Sequence, residues 1–215
     1  MKASIPFIVL LFVSGLPVVH SQPAALYEVS FEDRIGSSEL IVEGRVTGQE
    51  SFWNAAGTLI LTSNRVEVYR VFKGAVASNF VDVVTLGGVV GWKAQVVSHS
   101  VNPAPGEVGV FFLTRSNKTE GLAKQEETPA FEVYAAEQGF IRYDEASGLA
   151  SDIFNIYSDI DREVRGRLAD ALGSPRVLVD YAAPTRRSSK GAQIPVITSF
   201  SPNPVTAGTA TVLTI

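Results

Sequence analysis

A mainly β fold is predicted by three observations: short β-branched runs recur from about residue 38 to 143, turn residues separate them, and one helix-period segment follows. Six to eight strands at that spacing suit a closed barrel or a sandwich. Residues 40–46 (LIVEGRV) form the first run. Residues 58–72 (TLILTSNRVEVYRVF) are long and β-branched, with Val66 and Val68 alternating with Glu67 and Tyr69 as a half-buried strand requires. Residues 80–85 follow the Lys73-Gly74 break. Residues 87–91 read as a glycine-rich turn, and 92–98 alternate again. Pro103-Ala104-Pro105-Gly106 punctuates the chain before 108–113 (VGVFFL), a run apolar enough to be central; 131–134 and 139–143 finish the series.

One amphipathic helix is expected, over 152–172. Ile153, Ile156, Tyr157, Ile160, Val164 and Leu168 recur at spacings of three and four and so share a face. Ser151 or Asp152 is placed to cap its start, while Gly173, Ser174 and Pro175 stop it. Asp161/Arg165 and Glu163/Arg167 are i,i+4 pairs expected on the opposite, solvated side. Such a helix lies over the barrel or across one of its ends. Residues 181–193 read as a linker because 182–193 (AAPTRRSSKGAQ) carry no apolar period. Arg186, Arg187 and Lys190 then belong to a solvated hinge, rather than to a protease site or an anionic-surface contact.

Composition narrows the function classes. The 215 residues are 46% hydrophobic and 19% charged, enough for a substantial core and too apolar for a wholly disordered chain. A net charge of −4 argues against nucleic acid as the main partner. The absence of cysteine excludes disulfides, thiolate metal sites and cysteine nucleophiles. Residues 1–21 read as a secretory signal peptide: Lys2 supplies the basic end, 5–19 the apolar stretch, and Val19 and Ser21 the small residues at −3 and −1. Pro6, Ser14, Gly15 and Pro17 interrupt that stretch, which speaks against a membrane anchor. A secreted or cell-surface location is expected, with cleavage before Gln22, no membrane span afterwards, and His99 as the one histidine retained.

Zincin chemistry needs two or three imidazoles around a metal, which a single histidine does not supply. His99 lies between Ser98 and Ser100, but neighbours on a strand point to opposite faces, so a surface position at a strand end is expected. Gly87, Gly88 and Gly91 lack a phosphate-cradling spacing, and the series Asp159, Asp161, Glu163 places Val164 where a calcium loop needs glycine. Glu126-Glu127, beside Lys124, has no placed partner for acid–base work, and Asn117-Lys118-Thr119 marks a surface loop. The candidates for ligand contact are Trp53, Trp92 and His99. Trp53, in the turn-like stretch 51–57, is open between recognition and packing. Trp92 opens an alternating strand and reads first as core. No catalytic residue, metal site or cofactor is expected.

Residues 194–209 (IPVITSFSPNPVTAGT) resemble the opening of an IPT/TIG domain, an immunoglobulin-like sandwich whose first strand ends in a Ser-Pro turn. The resemblance covers only 194–215, so a truncated domain is expected there. Residues 38–46 (SELIVEGRV), 66–74 (VEVYRVFKG) and 105–113 (PGEVGVFFL) resemble the netrin-like domains, OB-type barrels that include the tissue inhibitors of metalloproteinases. Those inhibitors chelate a protease zinc through an N-terminal cysteine; this chain has none, so that chemistry does not carry over. The whole arrangement is similar to the N-terminal part of large secreted proteins of the Bacteroidota, some of which continue into matrixin-type zinc protease domains. The resemblance implies an OB/netrin-like β-barrel domain over 22–180, its helix at 152–172, and then the first strands of an Ig-like sandwich. The implied function is a non-catalytic extracellular binding or accessory module that contacts a protein or a glycan. The alternative is a pro-domain or inhibitory domain of a secreted zinc metalloprotease, whose partner is a downstream protease domain of the same polypeptide.

Overall fold

Two apolar layers, back to back across a shared pair of strands, organise the protein. A computed structural model describes residues 27–118 and 129–185. The leader 1–21, the Glu126-Glu127 pair, the basic residues Arg186, Arg187 and Lys190, and the stretch 194–215 lie outside the described residues. The chain enters through a short helix, α1 (Phe31–Ser37), whose start is capped by Ser30 Oγ accepting from the Asp33 amide at 3.0 Å. Strands β1 (Leu40–Trp53) and β2 (Ile60–Lys73) form a long hairpin, and β3 (Phe80–Leu86) runs back antiparallel to β2. A small separate hairpin follows, β4 (Gly88–Val90) and β5 (Lys93–Gln95). The main sheet resumes with β6 (Val108–Arg115), β7 (Ala130–Val133), β8 (Phe140–Asp144), β9 (Leu149–Ser151) and β10 (Ile156–Tyr157). A two-residue strand, β11 (Arg176–Val177), adds to β2.

The pairings close on themselves. β1 bonds to β2, β2 to β3, β3 to β7, β7 to β6, and β6 back to β1; β3–β7 is parallel and the other four contacts are antiparallel. Closure needs strong local coiling, which β1 supplies through register shifts at Ile41/Val42, Glu43/Gly44 and Val46/Gly48. It also needs two strands without side chains where they cross: a Cβ on Gly44 would stand 2.3 Å from the Glu67 carbonyl, and one on its opposite number Gly109 would stand 2.1 Å from that of Ile141. Inside the ring, Leu40, Val42, Val46, Val66, Val68, Phe111, Leu113 and Phe140 form one core. On its outside, Ile41, Tyr69, Val110, Phe112, Ile141 and Tyr143 pack beneath Phe31, Ile35, Ile160, Val164 and Leu168 to form a second. Burial on both faces explains why 108–113 reads as a continuous apolar run.

The helix departs from the expected 152–172. A π-helical segment (Ile160–Gly166) continues directly into α2 (Arg167–Leu172), and Asp159, not Ser151 or Asp152, caps it by accepting from the Arg162 amide at 2.9 Å. Asp152 is taken by another structure. Its Oδ1 accepts the amides of Phe154 and Asn155, turning the chain so that β10 pairs with β9. Ile153 and Ile156 are therefore exposed, while Tyr157, Ile160, Val164 and Leu168 are buried as their spacing demanded. Gly173, at φ 87°, ends the helix as expected. Among the described residues no helix is long and apolar enough to cross a membrane.

Candidate functional site

The β4–β5 hairpin carries the most unusual surface. Gly91, at φ 61°, occupies the first position of its two-residue turn, as a type II′ turn requires, and leaves Trp92 at the tip. The hairpin is fastened to the far end of β1–β2: Gln95 Oε1 accepts the Ile60 amide at 2.6 Å, and the Val89 amide reaches Ser51 Oγ at 3.4 Å. This places Lys93 between two indoles, its Nζ 5.3 Å from the ring centroid of Trp53 and 5.3 Å from that of Trp92. Trp53 is half-buried at the end of β1, and the Asn54 carboxamide, accepting the Thr58 and Leu59 amides, shapes the turn behind it. Trp92 is 89% exposed, which corrects its reading as a core residue. Only 93–95 of the expected strand 92–98 pair, so among the described residues no second sheet covers the indole. Alternation sorts the rest of the hairpin: Gly88, Val90 and Gln95 are half-buried toward β1–β2, whereas Val89, Ala94 and Val96 face outward with Trp92.

His99 stands apart from the two tryptophans. It is exposed and lines a cavity of about 350 Å³ with Thr85, Thr114, Lys118, Glu132 and Tyr134. The three non-glycine residues with positive φ among the described residues, His99 (59°), Ala135 (59°) and Ala136 (55°), all border this cavity. Lys118 is ion-paired with Glu132, and burial pulls its ammonium below the ordinary lysine range. The Ser100 hydroxyl is committed to Leu86, donating to the carbonyl at 3.0 Å and accepting the amide at 3.2 Å, so it is not poised against His99.

Two buried ionic groups hold the outer layer. Glu43, fully buried on β1 opposite Val110, accepts from Arg165 Nε at 3.0 Å, from Arg165 Nη2, and from Arg70 Nη1 at 3.3 Å. Both guanidiniums also donate to the Tyr181 carbonyl. Arg165 is consequently turned inward while still pairing with Asp161, and Arg167 reaches Glu32 of α1 instead of Glu163. The solvated face expected for these arginines is half correct. Tyr143 lies beside this group with its hydroxyl buried and unpartnered among the described residues, and burial holds it well above the ordinary phenol range. In the second group, Arg34 donates to Asp152 Oδ2 at 2.8 Å, to the Gln138 carbonyl at 2.5 Å and to Tyr157 Oη at 3.2 Å, with the rings of Phe31 and Phe112 against its guanidinium. Burial pushes Tyr157 up to about 12.

Sequence reading missed Lys93 and both buried ionic groups. Signals for two of them exist: Lys93 is the one charge in 87–98, and Glu43 interrupts an apolar strand, where an unpaired carboxylate is untenable. Among the described residues no group of three or more His, Cys, Asp or Glu side chains is placed to hold a metal. No family model, no curated protein and no solved structure matches the chain.

Proposed function

We propose that the chain is an exported, non-catalytic binding module built on an OB-type barrel, and that the Trp53–Lys93–Trp92 end of the molecule is its contact surface for an extracellular protein. The barrel assignment is supported by the order β1-β2-β3-β7-β6-β1 with its one parallel contact, β3–β7. OB folds, five-stranded Greek-key barrels, place ligands at the strand 2–3 face and the loop joining strands 1 and 2. The observation that carries the functional reading is the 89% exposure of Trp92 at the tip of a hairpin whose exposed side chains are, apart from Lys93, apolar. Contiguous exposed apolar surface of this kind marks interaction sites, and tryptophan is enriched among the residues that dominate binding energy. A protein fits better than a glycan because the outward face offers methyl groups and an indole and few side-chain hydrogen-bonding groups.

Immobilised full-length protein, challenged with extracellular proteins and with a glycan panel, tests the reading. A protein partner retained by the wild type and by His99→Ala, and lost on Trp92→Ala at unchanged thermal stability, is the expected result. Retention indifferent to Trp92→Ala overturns it, as does robust hydrolysis of general protease or esterase substrates.

A further inference from the structure

The contact surface has an open strand edge as well as an apolar face. The register Gly88↔Gln95, Val89↔Ala94, Val90↔Lys93 closes on a two-residue turn, so Val90/Lys93 and Gly88/Gln95 are the hydrogen-bonded pairs. Ala94 occupies the non-bonded position between them and turns its N–H and C=O away from β4. Among the described residues no strand lies on that side: the small sheet is β4-β5 alone, and Ala94 has no backbone partner there. The other edge, at β4, is shielded by Ser51. Natural edge strands are normally blunted by several charges, a proline or a bulge, whereas β5 carries Lys93 and nothing else of the kind. Lys93 has no carboxylate within ion-pair distance among the described residues, and the two indoles hold it in place.

We propose that β5 takes an extended segment of the partner protein as a third strand, with a carboxylate of that segment at Lys93 and its aliphatic side chains on Val89, Trp92, Ala94 and Val96. The inference rests on the binding-module reading and specifies how that surface binds. Strand addition draws affinity from main-chain hydrogen bonds and selectivity from alternate side chains. Here the alternation demands a segment that is aliphatic on one face and acidic on the other. The positive Lys93 at this edge favours such a segment over a basic one, and over a second copy of the same edge, which would set one lysine against another.

The probe is the acetylated, amidated peptide Thr-Val-Asp-Val-Thr-Val-Thr, titrated into full-length protein while following tryptophan fluorescence. The chain holds only two tryptophans, both against Lys93, so the signal reports this site directly. Saturable change below about 1 mM, slowed hydrogen exchange at the Ala94 amide, and about fivefold weaker binding when the peptide Asp is replaced by Lys are expected. N-methylation of the peptide on the edge facing β5 should abolish binding, and on the opposite edge should leave it intact. Ala94→Pro removes the outward donor without touching a β4–β5 bond, so it should lose the peptide while keeping the unliganded fluorescence. No saturable change, equal binding of the Lys peptide or of both N-methylated forms, self-association lost on Ala94→Pro, or a glycan response indifferent to Ala94→Pro overturns the inference. A protein partner lost on Trp92→Ala but retained by Ala94→Pro overturns strand addition alone and leaves the binding-module reading standing.

Discussion

A buried carboxylate is tolerated only while its counter-charges and donors stay in place. Asp152, with 1% of its side chain exposed, meets Arg34, with 2% exposed, at the junction of α1, the 136–139 turn and the β9–β10 connection. Burial pushes its carboxyl up, but the Phe154 amide, Arg34 and Tyr157 together hold it below the ordinary aspartate range. The sign follows from linkage. A folded-state value below the unfolded one, about 3.9, contributes stability that is complete above that pH and vanishes as pH falls through the folded value. Asp152→Asn is therefore expected to cost about 3 kcal/mol at pH 7, where Arg34 loses its counter-charge, and progressively less below about pH 4. Urea unfolding of wild type and variant at pH 7, 4, 3 and 2 measures the difference, and a gap constant across that series contradicts the argument. Such groups were only partly legible in the sequence. Glu43 is conspicuous within an apolar run, but its partner Arg165 lies 122 positions away, a separation no local pattern encodes. Asp152 read as a helix cap because an Asx turn and a cap use the same short carboxylate at the same kind of boundary.

At the level of elements, the long strands β1, β2, β3 and β6 were legible because period-two alternation and turn residues are local signals. The two- and three-residue strands β4, β9, β10 and β11 are too short to show a period, and the helix was legible only where packing confirmed its period. Val164 and Leu168 sit where a four-residue spacing puts them; Ile153 and Ile156 fit the same spacing yet lie on a turn and an edge strand. Helix α1 escaped notice because seven residues give too short a period to detect, although Ser30 with Glu32 and Asp33 is a start signal. The β6–β8 contact tests how closely the elements are fitted. Gly109, paired with Arg142, has the Ile141 carbonyl 2.1 Å and the Phe140 ring 2.7 Å from where a Cβ would stand. Gly109→Ala is expected to destabilise the protein by about 3 kcal/mol, since neither backbone nor a core ring yields readily. Gly36, within α1 and with nothing within 4 Å of a built Cβ, is the control. Gly36→Ala should stabilise by about 0.5 kcal/mol. Thermal denaturation of both variants decides, and equal effects would show that the crowding at Gly109 is relieved by movement.

Over the whole molecule the decisive feature is that β1 and β6 belong to both cores at once. Ile41 and Phe112 face the helical layer while Val42 and Phe111 face the interior of the ring, so neither layer can open without exposing strands that the other buries. The Glu43–Arg165–Arg70 group ties the same strand to the π-helical segment and to Tyr181, whose ring stacks on Tyr69 at 4.8 Å. Damage to the outer layer should then be felt at the opposite end of the barrel. Leu168 is fully buried in α2, and Leu168→Ala is expected to remove about 3 kcal/mol. Trp53, at the end of β1, reports the barrel when Trp92 is replaced by Phe, and far-UV circular dichroism reports strands and helices together. In that background, Leu168→Ala should lower the urea midpoints of both signals by the same amount, as one cooperative unit demands. A fluorescence midpoint that stays put while the dichroism midpoint falls would mean that the helical layer unfolds by itself. The two cores would then be independent despite their shared strands, and the buried ionic groups would be fastening a separable cover rather than completing a single fold.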